Sequence, residues 1–337
     1  MNPGGDLTHR MLPAIETELR LTLVSFPTAW YGGLAQMIAY HLGWDGDGQA
    51  ARGKRVRPLL TLLSGAAAGG DWQQALPAAA AVELIHNFSL VHDDIQDRSD
   101  TRRGRPTVWK QWGIAQAINT GDALFVAAHQ AASRLAMRSV DPHAVLAVRD
   151  RLDHACLRLT QGQHLDLAFE QSPDVTQPAY LEMIAGKTAA LIEAAAAAGA
   201  LIAGASEPQV VRYAEFGLHL GLAFQILDDL LGIWGEPAIT GKPSGDDLIQ
   251  RKKTLPVLMG LSTSPDFAGL WANADTTHLG LARMREALQA AGVLDATRQA
   301  AEVHTRQALG ALEAAQPVGP AGSELRALAD SLLQRSQ

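Results

Sequence analysis

Apolar and polar positions recur at three- and four-residue intervals almost from end to end, which predicts a helical chain. "DLTHRMLPAIETELRLTLV" has this spacing near the start. Pro58 stands where it can open a helix through "LLTLLSGAAA", stopped by Gly69 and Gly70. "WQQALPAAAAVELIHNFSLVHDDIQD" reads as one long helix with an acidic C-terminal end. More helices are predicted at "GIAQAINTGDALFVAAHQAASRLAMRS", "PHAVLAVRDRLDHACLRLTQGQHLDLAFE", "PAYLEMIAGKTAALIEAAAAAGALIA" and "QVVRYAEFGLHLGLAFQILDDLLGIWG". Three shorter ones are expected after Lys252. The breaks are short and there is no fixed-period repeat, so the pattern predicts one all-α domain over residues 1–337. The outlier is "GEPAITGKPSGDD", residues 235–247, whose Gly and Pro carry Lys242, Asp246 and Asp247 among them. Such a composition predicts a mobile, functional loop.

Composition narrows the picture. Hydrophobic residues make up 47% and aromatics 5%, with 31 Gly, which suits closely packed helices. The net charge of −7 argues against a nucleic-acid binder, and basic residues cluster locally in "RGKRVRP" and "TRRGRP". A single cysteine, Cys156, excludes an intramolecular disulfide framework and fits a reducing, cytoplasmic setting. "MNPGGDLTHR" lacks the basic start and apolar stretch of a secretory signal. The most apolar segment, "LIEAAAAAGALIAGA", is uncharged only from Ala194 to Ala205, short of the ~20 residues a membrane span needs, so no span is expected.

The candidate chemistry lies in two acidic clusters. In "DDIQD", Asp93 and Asp97 stand at i and i+4, so on a helix both carboxylates leave one face a turn apart. Their repulsion is relieved by a cation between them. "FQILDDLLGIWGE" repeats the arrangement with Asp228 and Asp229 amid apolar residues, where a carboxylate is costly unless paired or bound to metal. Two such clusters can face each other across a helical bundle and offer oxygens to Mg²⁺, with positions left for phosphate. No Cys/His cluster has zinc spacing. Arg102 and Arg103 follow the first cluster, and "GKRVRP" supplies Lys54, Arg55 and Arg57 after a glycine. Guanidinium groups match phosphate oxygens in pairs. The arrangement therefore suggests two anionic groups, one held through metal and one directly.

With these motifs in view, the sequence resembles the trans-isoprenyl diphosphate synthases, the farnesyl and geranylgeranyl diphosphate synthase family. Six motifs occur in the family's order between Gly53 and Pro256: "GKRVRP", "ELIHNFSLVHDDIQD", "TRRGRPT", "QGQHLDL", "AGKTAAL" and "FQILDD…GKPSGDDLIQRKKT". The resemblance implies the all-α isoprenoid synthase fold, a homodimer and three Mg²⁺ ions. It implies that Asp93, Asp97 and Asp228 are metal ligands. Lys54, Arg57, His86 and Arg103 are implied to hold the diphosphate of isopentenyl diphosphate. Arg102, Lys187 and Lys252 are implied to hold the allylic diphosphate, with Lys242 on the loop and Thr188 and Gln225 near the departing oxygen. Gln163 and Asp166 are implied to line the same cavity. Phe88 and Ser89, five and four residues before Asp93, are implied to floor the product pocket, and their pattern resembles synthases that stop at geranylgeranyl diphosphate, with farnesyl diphosphate next. One position departs: Gly232 stands where many members have a third Asp, a place that water could fill.

Two other readings share these features. A class I terpene cyclase has the same first acidic motif, and Asp228 with Glu236 supplies two of the three ligands of its second. It has no use for Lys54, Arg57, His86 and Arg103. A non-catalytic subunit of a heteromeric prenyl synthase would lack site residues that are present here.

Overall fold

The computed structural model of the chain describes residues 6–24, 28–45, 53–236 and 245–333, and it divides into two compact units. The first comprises Met1–His154, Ala194–Val211 and Ala315–Leu325. It holds α1 (Asp6–Leu23), α2 (Thr28–His41), α3 (Val56–Ala67), α4 (Leu76–Gln96), α5 (Val108–Trp112) and α6 (Ile114–Ser133). It also holds the beginning of α7 (Pro142–Gln171). α4 and α6 form its main helix pair, with α1 and α3 packed on α4. The N-terminal half of α4 is buried on all sides, because Ala78–Ala81, Val82, Leu84 and Ile85 leave no polar face to turn to water. Its start is later than the pattern predicts. Asp71 accepts from Gln73 N–H at 3.0 Å and caps a 3₁₀ turn, Trp72–Ala75, and Pro77 then sits in the first turn of α4.

The second unit comprises Ala155–Glu193, Arg212–Ala314 and Arg326–Gln337. Along the chain come α8 (Gln177–Ile184), a π turn (Ala185–Ala189), α9 (Ala190–Ile202) and α10 (Glu207–Trp234). They are followed by α11 (Asp246–Ile249), α12 (Leu255–Thr263), α13 (Pro265–Asn273), α14 (His278–Ala290), α15 (Val293–Ala314) and α16 (Gly319–Leu333). The C-terminal part of α9 lies in the first unit, where Gly199 meets α3 so closely that a Cβ would overlap the Thr61 carbonyl oxygen. One core of the second unit gathers Tyr180, Ile184, Leu222, Ile226 and Leu255; another gathers Ile233, Val257, Phe267 and Met284.

Five helices, rather than three, follow Lys252. The extra boundaries are local. Ser264 Oγ accepts from Phe267 N–H at 3.1 Å with Pro265 in the first turn, and Ala274, at φ 51°, ends α13. α2 escapes the pattern because Gly32 and Gly33 interrupt its apolar spacing. A two-stranded hairpin, β1 (Thr101–Arg102) and β2 (Arg105–Pro106), also goes unread, because two residues per strand carry no alternation. Two helical stretches, Gln177–Ile202 and Glu207–Trp234, are long and apolar enough to cross a membrane, and 72% and 61% of their most apolar windows are buried within the protein, as in core helices. Lys242 and residues 237–244 of the Gly/Pro-rich loop lie outside the described residues.

Candidate active site

The first acidic motif ends α4. Asp97 is the residue after the helix, still in helical conformation, and its N–H reaches the Asp93 carbonyl at 2.8 Å. The two side chains therefore keep their i, i+4 relation, Asp93 half-buried and Asp97 exposed. The chain leaves the helix at Arg98, in the left-handed region at φ 52°, with Ser99 N–H bonded back to Asp94 O at 2.9 Å. Sequence reasoning passes over Asp94, which points inward at 2% exposure. Arg102 Nε donates to both of its oxygens at 2.9 Å, and Nη2 reaches Oδ1 at 2.8 Å. Burial pushes the Asp94 carboxyl up, and the Arg102 hydrogen bond and charge pull it back down.

That pairing fixes the hairpin. Arg103 and Gly104 occupy its two-residue turn with φ of 53° and 74°, the conformation of a type I′ turn. Thr107 Oγ1 and Trp109 Nε1 both donate to Ser99 O at 2.9 Å, and Tyr40 donates to Pro106 O at 2.8 Å. The guanidinium of Arg103 lies over Gly53, where a Cβ would sit 2.7 Å from Nη2. The glycine before Lys54 thus leaves room for that guanidinium.

"GKRVRP" divides its labour. Arg55 belongs to the fold: at 5% exposure it donates to Glu16 Oε1 at 2.6 Å and Glu83 Oε1 at 2.7 Å. Lys54 is exposed, and Arg57 Nη1 lies 3.2 Å from His86 Nε2. A guanidinium only donates, so Nε2 accepts and the imidazole proton sits on Nδ1. Burial, then the charges of Arg57, Arg103 and Arg102, hold the His86 pKa well below its ordinary value. Burial and the same arginine pair push His41, at the end of α2, down to about 3. Both imidazoles are neutral near pH 7, and the positive charge here is carried by Lys54, Arg57, Arg102 and Arg103. Further back along α4, Ser89 is buried and donates to His86 O at 2.8 Å. Phe88 is half-buried and meets Phe125 of α6 edge to face at 5.0 Å.

The other predicted residues lie in the second unit. α7 touches the π turn backbone to backbone: Gly186 lies against Arg158 O, and a Cβ on Gly162 would collide with Lys187 N. The Ala190 N–H bonds to Ala185 O, the i→i−5 bond that widens the helix at Lys187 and Thr188. Lys187 Nζ pairs with Asp166 Oδ2 at 2.5 Å, and Gln163 is buried beside them on α7. Thr188 Oγ1 donates to Gln225 Oε1 at 2.8 Å. On α10 Asp228 is exposed, whereas Asp229 is 3% exposed and accepts from Tyr180 Oη at 2.5 Å, Gln225 Nε2 at 3.2 Å and Leu255 N at 3.3 Å. Burial pushes the Asp229 carboxyl up to about 8.

The departure at Gly232 has a structural cause. A Cβ there would lie 2.0 Å from a carboxylate oxygen of Asp247, so Asp247 occupies the space that a side chain at this position would need. In "RKK", Lys253 closes the end of α7 by donating to Phe169 O at 2.6 Å and Ser172 O at 2.5 Å, Arg251 donates to Trp271 O at 2.7 Å, and Lys252 is left exposed. Among the described residues no three His, Cys, Asp or Glu side chains gather to hold a metal ion unaided. Asp93 and Asp97 in the first unit, and Asp228 in the second, each offer oxygens of the kind that a hard cation such as Mg²⁺ takes alongside water and phosphate.

The chain is similar to known proteins. The polyprenyl synthetase family profile matches residues 47–289. The chain is 49% identical to the geranylgeranyl diphosphate synthase of Mycobacterium tuberculosis over 239 residues, 70% of this chain and 67% of that one. It is 46% identical over 265 residues to the (2E,6E)-farnesyl diphosphate synthase of the same species, 76% of this chain and 72% of that one. Among solved structures, geranylgeranyl pyrophosphate synthetase from Pyrococcus horikoshii superposes with a TM-score of 0.88 at 33% identity, covering 98% of each chain. The geranylgeranyl pyrophosphate synthase of Corynebacterium glutamicum, complexed with isoprenyl diphosphate and magnesium, gives 0.84 at 28% identity, over 99% of this chain and 100% of that one. With this match running across both units, the chain belongs to the polyprenyl synthetase family.

Proposed function

We propose that the protein condenses isopentenyl diphosphate with an allylic diphosphate, head to tail and trans, and releases a short-chain prenyl diphosphate, geranylgeranyl diphosphate first and farnesyl diphosphate next. The observation that carries this reading is the pair of arginines, Arg57 and Arg103, that acts on neutral His86, with Lys54 three residues before Arg57, separate in the sequence from Lys187 and Lys252. Two diphosphates need two sets of cations, and a cyclase, with one diphosphate, needs only one. With Gly232 the one changed position, the acidic and basic residues likewise speak against a silent subunit. We read the two units as parts of one polyprenyl synthetase domain, since the family match runs through both.

Asp93, Asp97 and Asp228 would hold Mg²⁺, three ions by the family's pattern, and the bound metal would supply positive charge that favours departure of a diphosphate. Lys187 and Lys252 bind the allylic diphosphate directly, with Arg102 beside Asp94 and Lys242 on the loop adding charge. Lys54, Arg57 and Arg103 hold isopentenyl diphosphate so that its double bond is aligned with the allylic carbon. No protein base is assigned to the final proton, which passes to the departing diphosphate. Phe88, backed by Phe125, limits product growth. Ile114, Ile118 and Val126 are exposed along α6, with Asp122 between the last two, and this partly apolar face supports a homodimer. The single cysteine and the mostly buried apolar helices support a cytoplasmic enzyme.

Metal dependence tests the reading. Activity should vanish with a chelator and return with added Mg²⁺. Undiminished turnover in excess chelator would overturn the assignment of the three aspartates.

A further inference from the structure

"RKKT" sets two lysines side by side, and the fold uses them differently. Lys253 is half-buried at the C-terminal end of α7. Its Nζ donates to the main-chain oxygens of Phe169 at 2.6 Å, Glu170 at 3.3 Å and Ser172 at 2.5 Å. An ammonium has three protons to give, and these three carbonyls take them all. They also stand at the negative end of a 30-residue helix, where a cation is favoured. Lys253 is thus committed to the fold. Lys252 is exposed and, among the described residues, makes no side-chain hydrogen bond or ion pair.

The main chain of Lys252 is held from both sides. Arg251, just before it, lies in the left-handed region at φ 55°, a strained backbone that its contacts must offset. Its Nη1 donates to Trp271 O at 2.7 Å, and its guanidinium lies 4.4 Å over the Trp271 ring. The N–H of Lys252 itself reaches Asp247 O at 2.9 Å. Beyond Lys253, Thr254 is buried and stands at the N-cap of α12. All of these groups belong to the second unit. A lysine side chain is a flexible four-carbon stem, so its ammonium meets a diphosphate in one place only when its root is fixed. The anchored neighbours fix that root.

We propose that Lys253 is a positioning residue that, by clamping the end of α7, fixes the main chain at Lys252 and so aims Lys252 at the allylic diphosphate. The proposal rests on the prenyltransferase reading above. It separates two lysines that the motif presents as equals: one meets the anion, and the other sets where it stands. Without the clamp Lys252 keeps its charge, but part of its binding energy goes into ordering the segment that carries it. The loss falls on one substrate. The residues proposed for isopentenyl diphosphate, Lys54, Arg57 and Arg103, belong to the first unit.

The experiment is a double-mutant cycle of Lys253→Met and Lys252→Ala on kcat and on both KM values at saturating Mg²⁺, with thermal unfolding of each variant. Lys253→Met keeps an unbranched stem and removes the ammonium. It should raise the allylic KM about ten-fold, while the KM for isopentenyl diphosphate changes less than about two-fold. Once Lys252 is Ala, the same substitution should move the allylic KM by less than about two-fold. An unchanged allylic KM in Lys253→Met would overturn the proposal. An equal rise in both constants would also overturn it, because the damage would then be general. So would the same rise in both backgrounds, because Lys253 would then act without Lys252. If Lys253→Met does not fold, Lys253→Gln, which keeps an N–H donor on a shorter stem, goes through the same cycle with the same criteria. Failure of the wild type to consume isopentenyl diphosphate would be a different result, and would overturn the function rather than the clamp.

Discussion

Asp93 and Asp94 are neighbours in sequence and opposites in environment, as are Asp228 and Asp229. In each pair the first carboxylate stays in contact with solvent and the second is 2–3% exposed and held by hydrogen bonds. A helix turns about 100° per residue, so adjacent acids cannot share a face. The outward members, with Asp97, are the residues whose charge is available to a cation, and the i, i+4 spacing made them legible in the sequence. The inward members were not legible, because a doubled Asp does not say which one faces the core. Gly232 was read as a missing ligand. Only the placement of Asp247 shows it as the space for another carboxylate. Asp93→Asn should nearly abolish turnover, a loss of several kcal/mol in transition-state stabilisation, while thermal unfolding stays normal because a like-charge repulsion is relieved. Near-wild-type kcat in that variant would remove Asp93 from the metal site. Arg57→Ala should raise the KM for isopentenyl diphosphate at least ten-fold more than that for the allylic substrate, since His86, being neutral, cannot replace the lost charge. Equal effects on the two constants would mean that the two anion sites are assigned the wrong way round.

Among the elements, those with strong periodicity were the legible ones. α1, α4, α6, α7 and α10 lie where the apolar spacing predicts them, because each buries one face or its whole surface. The hairpin and the π turn were invisible, since their identity depends on positive φ at Arg103 and on one widened hydrogen bond at Ala190. Both carry proposed site residues, so the motifs marked the residues but not the devices that aim them. The α4–α6 pair bears on product length. Phe88 packs edge to face on Phe125, and Phe125 in turn on His129 at 4.5 Å, so the proposed floor is a braced aromatic row spanning two helices. Phe88→Ala should lengthen the main product by at least one five-carbon unit, read by chromatography of the dephosphorylated alcohols. It should also cost about 3 kcal/mol or less of stability, because the side chain is only half-buried. An unchanged product would place the floor elsewhere.

For the whole molecule, buried titrating groups predict how stability varies with pH when no metal is present. His41, pushed from 6.5 to about 3, stays neutral in the fold between about pH 4 and 6.5 while the unfolded chain protonates it, and burial lowers His86, His219 and His304 in the same direction. Over the same range Asp229, raised from 3.8 to about 8, keeps one proton that the unfolded chain has lost. The four histidines together outweigh the one acid, so the unfolded state binds more protons and stability rises with pH toward the histidine range. Above the histidine range Asp229 still keeps the proton that the unfolded chain has lost, the sign reverses, and stability falls by up to about 1.4 kcal/mol per pH unit toward pH 8. The apo protein's Tm should therefore peak near pH 6.5, and Asp229→Asn should remove the decline above it. A Tm that climbs steadily through pH 8 would show that Asp229 is ionised in the fold. The central claim, that this chain joins two diphosphates, is tested most directly by product analysis with Mg²⁺ and an allylic diphosphate, with and without isopentenyl diphosphate. The account predicts a longer prenyl diphosphate, chiefly geranylgeranyl, only when isopentenyl diphosphate is present and consumed. A cyclised hydrocarbon or alcohol formed from the allylic substrate alone would contradict it.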